Sequence, residues 1–183
     1  GLRARHGLLS NLLTQQLGRP VAHAGRIREI IAERRPHIIW HNNTSLIGGP
    51  GLLPIGEALK VYEAHEHWLV CPTHVLWRYG RELCDERHCV RCQLSYRRPP
   101  QLWRHTGMLD RALDHIDLII AKSEFSRAKH RDFGLRHGME VLPYFLPDLP
   151  RLAEPWRGHP RPYFLFVGRL EKIKGVQDVF PAM

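Results

Sequence analysis

Long apolar runs are absent from this chain, and that absence is the first constraint on what it does. No stretch approaches the roughly 18 consecutive apolar residues that a membrane-crossing helix requires. The leucines between Leu8 and Leu17 are interrupted by Ser10, Asn11, Gln15 and Gln16 and lead into no signal-peptide cleavage pattern. Cysteine is scarce, with 4 in 183 residues, too few for a secreted scaffold built on disulfides, so a reducing compartment, the cytoplasm, is the expected location. Internal repeats and low-complexity tracts are missing as well, which excludes solenoids and linker-like polymers. So are several catalytic signatures: no Walker glycine loop, no Gly-x-Gly-x-x-Gly and no His-Glu-x-x-His. His65-Glu66-His67 has the wrong spacing for the last of these. Cys71 has no sequence feature that would make it a nucleophile.

What is present is an ordinary globular balance, 43% hydrophobic and 25% charged, enough to bury a core. Lys and Arg number 27 against 18 Asp and Glu, a formal charge of +9. The excess is clustered. Seven arginines lie between Arg78 and Arg104 against Glu82, Asp85 and Glu86, and a second group runs through Lys122, Arg127, Lys129, Arg131 and Arg136. Such clusters suit an acidic partner (nucleic acid, an anionic membrane surface or phosphorylated small molecules), and they equally suit two solvated faces.

The hydrophobic periodicity alternates between helix and strand. Ala24 to Arg34 places Ile27, Ile30 and Ile31 on one helical face, and Pro36 ends that helix before a short buried strand, His37-Ile38-Ile39-Trp40. Asn43-Thr44-Ser45 offers N-caps for a further helix. Lys60 to Ala64 reads as a second strand, with His65-Glu66-His67 at its C-terminal end. A helical pattern extends from Gln101 to Ile116, followed by a third strand, Leu118 to Ala121, a helix opened by Ser123 and Glu124, and a fourth strand, Glu140 to Leu142. Strands alternating with helices imply βαβ units and a parallel sheet, an α/β fold. Pro147, Pro150, Pro155, Pro160 and Pro162 mark an interdomain linker over 147–162. Tyr163 to Val167 then reads as the first strand of a second α/β domain, with a helix starting near Gly175-Val176.

Two constellations could carry chemistry. In Val167-Gly168-Arg169-Leu170-Glu171-Lys172-Ile173-Lys174-Gly175 an apolar strand runs into a glycine, three basic residues and a helix start. Gly168 lets a phosphate approach the backbone, and Arg169 and Lys174 supply charge. On physics alone the same segment is also an ordinary edge loop. The second constellation is Cys84-x-x-x-x-Cys89-x-x-Cys92, with Cys71 upstream and His74 and His88 nearby. The Cys89/Cys92 pair has metal-ligand spacing, so a structural zinc held by Cys71, Cys84, Cys89 and Cys92 stands beside a disulfide and free thiols as readings. Trp68, Trp77 and Trp103 flank this stretch, able to stack on a sugar or to serve as core or lid.

Taken in order, these segments resemble family-4 (group 1) retaining glycosyltransferases. Val167-Gly168-Arg169-Leu170 with Lys174-Gly175 is similar to the signature opening that family's C-terminal domain. Arg35-Pro36-His37-Ile38-Ile39-Trp40-His41-Asn42-Asn43 resembles its "RPDVVHxHN" strand, with His37 and Trp40 departing from the usual Asp and His. Glu63-Ala64-His65-Glu66-His67-Trp68-Leu69-Val70-Cys71-Pro72 resembles "TVHDYWLxCP", and Ile120 to Ser126 resembles a "hxxSxFxR" helix entry.

The resemblance implies a GT-B fold: two Rossmann-like domains facing one cleft. On that basis residues 1–146 are the acceptor-side domain with a Cys-rich insertion at about 71–104, and 163–183 begin the nucleotide-sugar domain. It implies Gly168, Arg169 and Lys174 at the donor diphosphate. It places His65 beside the donor sugar as the catalytic-site histidine, and Glu66 and Ser123 as sugar or acceptor contacts. Read from its chemistry alone, His65 could instead satisfy strand-end hydrogen bonds. Transfer would proceed with retention from a nucleotide-sugar co-substrate to a glycan or lipid-linked acceptor, with peripheral contact at the inner membrane face. No catalytic cofactor is required, and no Asp-x-Asp pair supports metal-dependent donor binding. A chain that begins at Gly1 and stops at Met183 is expected to be a fragment, lacking the family's upstream glycine-rich loop and downstream glutamate pair, and inactive by itself. The rival readings are a zinc-bearing basic nucleic-acid-binding module and a non-catalytic glycosyltransferase-like remnant. The parallel-sheet pattern makes nucleic acid the less expected partner.

Overall fold

The computed structural model describes residues 8–146, 160–161 and 163–182. The chain divides into two compact units, Gly1–Phe145 and Leu146–Met183.

The first unit is built on a four-stranded, all-parallel sheet. Helix α1 (Leu8–Leu17) and helix α2 (Ala24–Arg34) precede strand β1 (Ile38–His41) and strand β2 (Leu59–Ala64). A small hairpin of β3 (Trp77–Arg78) and β4 (Glu82–Leu83), helix α3 (Cys89–Ser95) and helix α4 (Met108–Leu113) then intervene before β5 (Leu118–Ala121). Helix α5 (Glu124–Asp132) and β6 (Glu140–Val141) complete the unit. The sheet order is β1-β2-β5-β6, with Trp40 beside Val61, Glu63 beside Ile120 and Ala121 beside Val141. The α/β class read from the sequence is therefore observed. The order runs in one direction across the four strands, so they contain no topological switch point of the kind that marks doubly wound sheets.

Strands β2 and β5 are central and supply most of the buried side chains of the sheet. Tyr62, Ala64, Ile119 and Ala121 join Leu53, Trp68, Leu69, Trp103, Leu113 and Phe133 in one core. Leu53 and Leu113 are completely buried, each stabilising the fold by about 1.5–3 kcal/mol relative to exposure. Asp117 fastens the entry to β5: its carboxylate accepts from the Lys60 amide at 2.7 Å while its own amide donates to the Lys60 carbonyl at 2.9 Å. Helix α1 is held through its C-terminal end. The Gln15 carbonyl accepts from Trp103 Nε1 at 2.8 Å, and Gly18 sits at φ 64° with Trp103 ring atoms 3.1 Å from where a Cβ would stand.

Several expectations are corrected. The strand read as buried at His37 to Trp40 runs from Ile38 to His41, and Ile38 and Trp40 are exposed; among the described residues β1 is an edge strand paired with β2. The helix expected after Asn43-Thr44-Ser45 does not form. The Asn43 Oδ1 accepts from the Ser45 amide and hydroxyl, and the chain then makes only a 3-10 turn at Gly49–Leu52; Gly48, Gly49, Pro50 and Gly51 oppose an α-helix there. The continuous helical pattern from Gln101 to Ile116 is split into a 3-10 turn at Leu102–His105 and α4 by Gly107, at φ 68°. The expected linker over 147–162 lies outside the described residues except at 160–161.

In the second unit, the strand expected from Tyr163 to Val167 is not formed. Phe164 and Val167 are more than four-fifths exposed, and the run joins neither of the two sheets formed by the described residues. Helix α6 (Val176–Val179) does follow Gly175, as a single turn. No helix among the described residues is long and apolar enough to cross a membrane.

Candidate functional site

A polar cluster gathers where the sheet strands end. His65 directly follows β2, Asn42 follows β1, Lys122 follows β5 and Tyr144 lies three residues beyond β6. Because the strands are parallel, all four side chains emerge at the carboxyl edge, the side on which open α/β sheets place ligands. His65 Nδ1 stands 2.6 Å from the Tyr144 hydroxyl and Nε2 stands 3.1 Å from Asn42 Oδ1. Asn42 Oδ1 can only accept, so Nε2 carries a proton and donates; the neutral ring then accepts the Tyr144 proton at Nδ1. The two rings also stack, with centroids 5.8 Å apart.

Glu63, the last but one residue of β2, ties the cluster to the sheet. It pairs with Lys122 and accepts from Trp40 Nε1 at 2.7 Å, with His65 Nε2 at 3.6 Å. Burial works against its ionisation, but the hydrogen bonds from Lys122 and Trp40, with the charge of Lys122, prevail and hold it below the usual carboxylate range. Lys122 Nζ also lies 4.8 Å from the Tyr144 ring centre. Of this cluster, sequence reasoning placed only His65 at the site. Lys122 appeared as a member of a charge run, and Asn42, Glu63 and Tyr144 appeared only within longer segments or not at all, because their convergence is a product of the parallel register. The small recess beside His65, lined by Asn42, Tyr62, Glu63, Glu66 and Trp68, holds only about 10 Å³.

The other expected contacts are engaged elsewhere. Glu66 is exposed and accepts from His74 Nδ1 at 2.6 Å, and burial outweighs this carboxylate in setting a lowered pKa for His74. Ser123 is the N-cap of α5: its Oγ accepts the Ser126 amide at 3.1 Å. Gly168, Arg169 and Lys174 lie in the second unit. Arg169 is largely exposed and pairs with Glu171 at 3.0 Å, and Lys174 closes a 3-10 turn, Lys172–Lys174, capped by Gly175 at φ 69°. Gly168 has a negative φ, so its use there is the close approach of the Phe166 ring, 3.2 Å from a would-be Cβ, and not a left-handed turn.

His67, just past the turn, is half-buried, whereas His130 in α5 and His41 at the end of β1 are buried. His67 stacks on the completely buried His130, centroids 5.1 Å apart, and His130 Nδ1 donates to the Ser126 carbonyl at 2.8 Å. Burial, with the charges of His130 and Lys129, pulls His67 down to about 4; burial with the charge of Lys60 does the same to His41.

The Cys-rich insertion brings its thiols into one neighbourhood. All four cysteines are free, with Cys71 and Cys92 buried. Burial and the adjacent Cys71, Cys89 and Cys92 push the Cys84 thiol up to about 11, and burial and Cys71 raise Cys89 against the pull of Arg87 and Arg104. As placed, no group of three or more His, Cys, Asp or Glu among the described residues converges to hold a metal ion. Beside the thiols, Cys89, Arg87, His88, Arg91, Arg104 and His105 line a cavity of about 490 Å³ floored by Leu69, Val70 and Leu109, a volume suited to a small ligand. Trp68 and Trp103 are buried, which places them in the core and not on a sugar-stacking surface; both support the Arg104 guanidinium, at 5.2 and 4.6 Å from their ring centres. Compared with known proteins, the chain matches no family model, no curated protein and no solved structure.

Proposed function

We propose that this chain is the acceptor-side Rossmann-like domain and the opening of the donor domain of a retaining, GT-B glycosyltransferase. The observation that carries the reading is His65: a half-exposed histidine at the carboxyl end of a central parallel strand, at the position the sequence resemblance assigns to the donor sugar. Its two hydrogen bonds, to Asn42 and Tyr144, are neutral and worth about 1 kcal/mol each. A sugar hydroxyl can replace either one with little net cost, so the cluster acts as a preset cradle. Glu63 and Lys122 neutralise one another beneath it and fix the loop ends that carry it.

Arg169 and Lys174 would bind the donor diphosphate and stabilise the charge that develops on it as the glycosidic bond breaks. The basic cavity of Arg87, His88, Arg91, Arg104 and His105 suits an acceptor that carries phosphate, such as a lipid-linked sugar met at a membrane surface. The nucleic-acid reading is the weaker one, because Arg78 is committed to Glu82 at 3.0 Å and to Asp85 at 2.8 Å, breaking any continuous basic stripe. The test is transfer from a panel of nucleotide sugars by the protein extended through its neighbouring coding sequence. Release of nucleoside diphosphate that depends on an added acceptor supports the reading. No turnover of any donor by a folded, extended protein contradicts it.

A further inference from the structure

We propose that Cys71, Cys84, Cys89 and Cys92 are the ligands of one structural Zn²⁺ that fastens the insertion between β2 and α4 to the core, with Arg104 balancing its charge. The argument does not rest on the glycosyl-transfer reading, although Cys89 and Arg104 also line the basic cavity. The first argument is that the part of this insertion formed by the hairpin and α3, residues 77–95, has little apolar burial to hold it. Its strands β3 and β4 are two residues each, α3 has seven, and within α3 only Cys92 and Gln93 are buried. Leu83, Val90 and Leu94 all face outward. A segment so poor in apolar burial needs a covalent or metal staple.

The second argument is placement. Cys71 sits in the turn after β2, its amide bonded to the His67 carbonyl at 2.7 Å, inside the hydrophobic core. Cys84 leaves the hairpin with its amide on the Leu76 carbonyl at 2.9 Å, and packs against that core. Cys89 and Cys92 occupy the first turn of α3. A hairpin knuckle and a helix start, each presenting cysteine, are the two halves from which small tetrathiolate sites are made. The hairpin turn is shaped for it. Tyr79 and Gly80 both take positive φ, 55° and 70°, and the Tyr79 amide is thereby aimed at Cys92 Sγ, 3.5 Å away. A left-handed non-glycine is strained, and an N–H donated to sulfur favours a thiolate over a thiol.

The third argument is charge. The Arg104 Nη2 is fully enclosed with no hydrogen-bond partner. Its Nε donates to the neutral Gln101 amide oxygen at 2.6 Å, and its plane is packed against Trp68 and Trp103. A guanidinium is always charged, and an enclosed one without an anion is costly. Four thiols binding zinc supply that anion: Zn²⁺ + 4 RSH → [Zn(SR)₄]²⁻ + 4 H⁺, the protons passing to solvent. The four cysteines complete a tetrahedral set without a histidine. In the present arrangement Cys84 Sγ donates to the Glu86 carbonyl at 3.4 Å and Cys71 Sγ shares a proton with Thr73 at 3.2 Å. The thiols do not converge as placed, and closing on the ion gives up these two weak contacts.

The experiment is metal analysis and Co²⁺ titration of the reduced 183-residue chain, with no activity needed. The proposal expects about one tightly held zinc per chain, a Co²⁺ form with the intense absorption of a tetrahedral thiolate site, and all four cysteines protected from alkylation until a chelator is added. Cys84→Ser with Cys89→Ser should abolish binding, and Arg104→Gln should weaken it about 10-fold or more. Should the cysteine variants fail to fold, the wild-type Co²⁺ spectrum and alkylation pattern decide alone. A folded chain that binds neither ion, a spectrum lacking sulfur ligation, or alkylation indifferent to zinc would overturn the proposal.

Discussion

Mild acid should loosen this fold well before its carboxylates protonate, and buried His41 and half-buried His67 supply a large part of the effect. His41 and His67 are both held near pKa 4, His41 by burial beside Lys60 and His67 by burial against His130, with Lys129 nearby and Glu66 acting in opposition. An unfolded histidine titrates near 6.5, so the unfolded chain takes up protons that the folded chain refuses. The resulting stability is fully present above pH 6.5 and drains away as pH falls toward 4. At pH 5 the loss per histidine is about 2 kcal/mol, giving about 4 kcal/mol for the pair, a large part of the 5–15 kcal/mol typical of a domain. Urea unfolding followed by tryptophan fluorescence at pH 7 and pH 5 measures it directly. A His67→Phe variant, which keeps an aromatic face against His130 without a titrating nitrogen, should lose about 2 kcal/mol less on acidification. An unfolding midpoint that stays level between pH 7 and pH 5, or a drop identical in the variant, would refute the reasoning. Since His67 belongs to the turn that carries His65, the same acid step should disorder the candidate site.

Two further predictions separate structural from functional roles. Ser123→Ala should lower stability by about 1 kcal/mol through loss of the α5 cap, read as a fall in melting temperature, while leaving donor binding by the extended protein unchanged; weakened donor binding with the helix intact would restore it as a sugar contact. Tyr144→Phe removes the proton donated to His65 Nδ1 but keeps the ring stack and the contact with Lys122. It should cost sugar transfer several-fold, chiefly in kcat, with little change in stability, and unchanged transfer would remove Tyr144 from the cradle.

Much of the fold could be read from local pattern, because local pattern is what made those parts. Helix α2 follows from Ile27, Ile30 and Ile31 on one face, β5 from an unbroken Leu118-Ile119-Ile120, and the start of α5 from Ser123 preceding a helical run. The failures come where tertiary partners decide. Gly107 breaks a pattern that hydrophobic spacing alone would continue, and the apolar run at Tyr163 to Val167 is a strand only if a neighbour completes its ladder. The site shows the same division. His65 could be found from its place after a strand, whereas Tyr144, 79 residues away, and Asn42, 23 residues away, meet it only through the sheet register. Arg104 looked like one of seven arginines in a basic stretch, and nothing in that stretch announced that its guanidinium would be enclosed without an anion.

The central claim is that His65 cradles a donor sugar for retaining transfer. The measurement that meets it most directly is the anomeric configuration of the first-formed product, followed by NMR, for the extended protein and its His65→Ala variant. The account predicts retained configuration and a rate loss of about 100-fold or more in the variant, with folding unchanged. An inverted product, or full activity without His65, would contradict it.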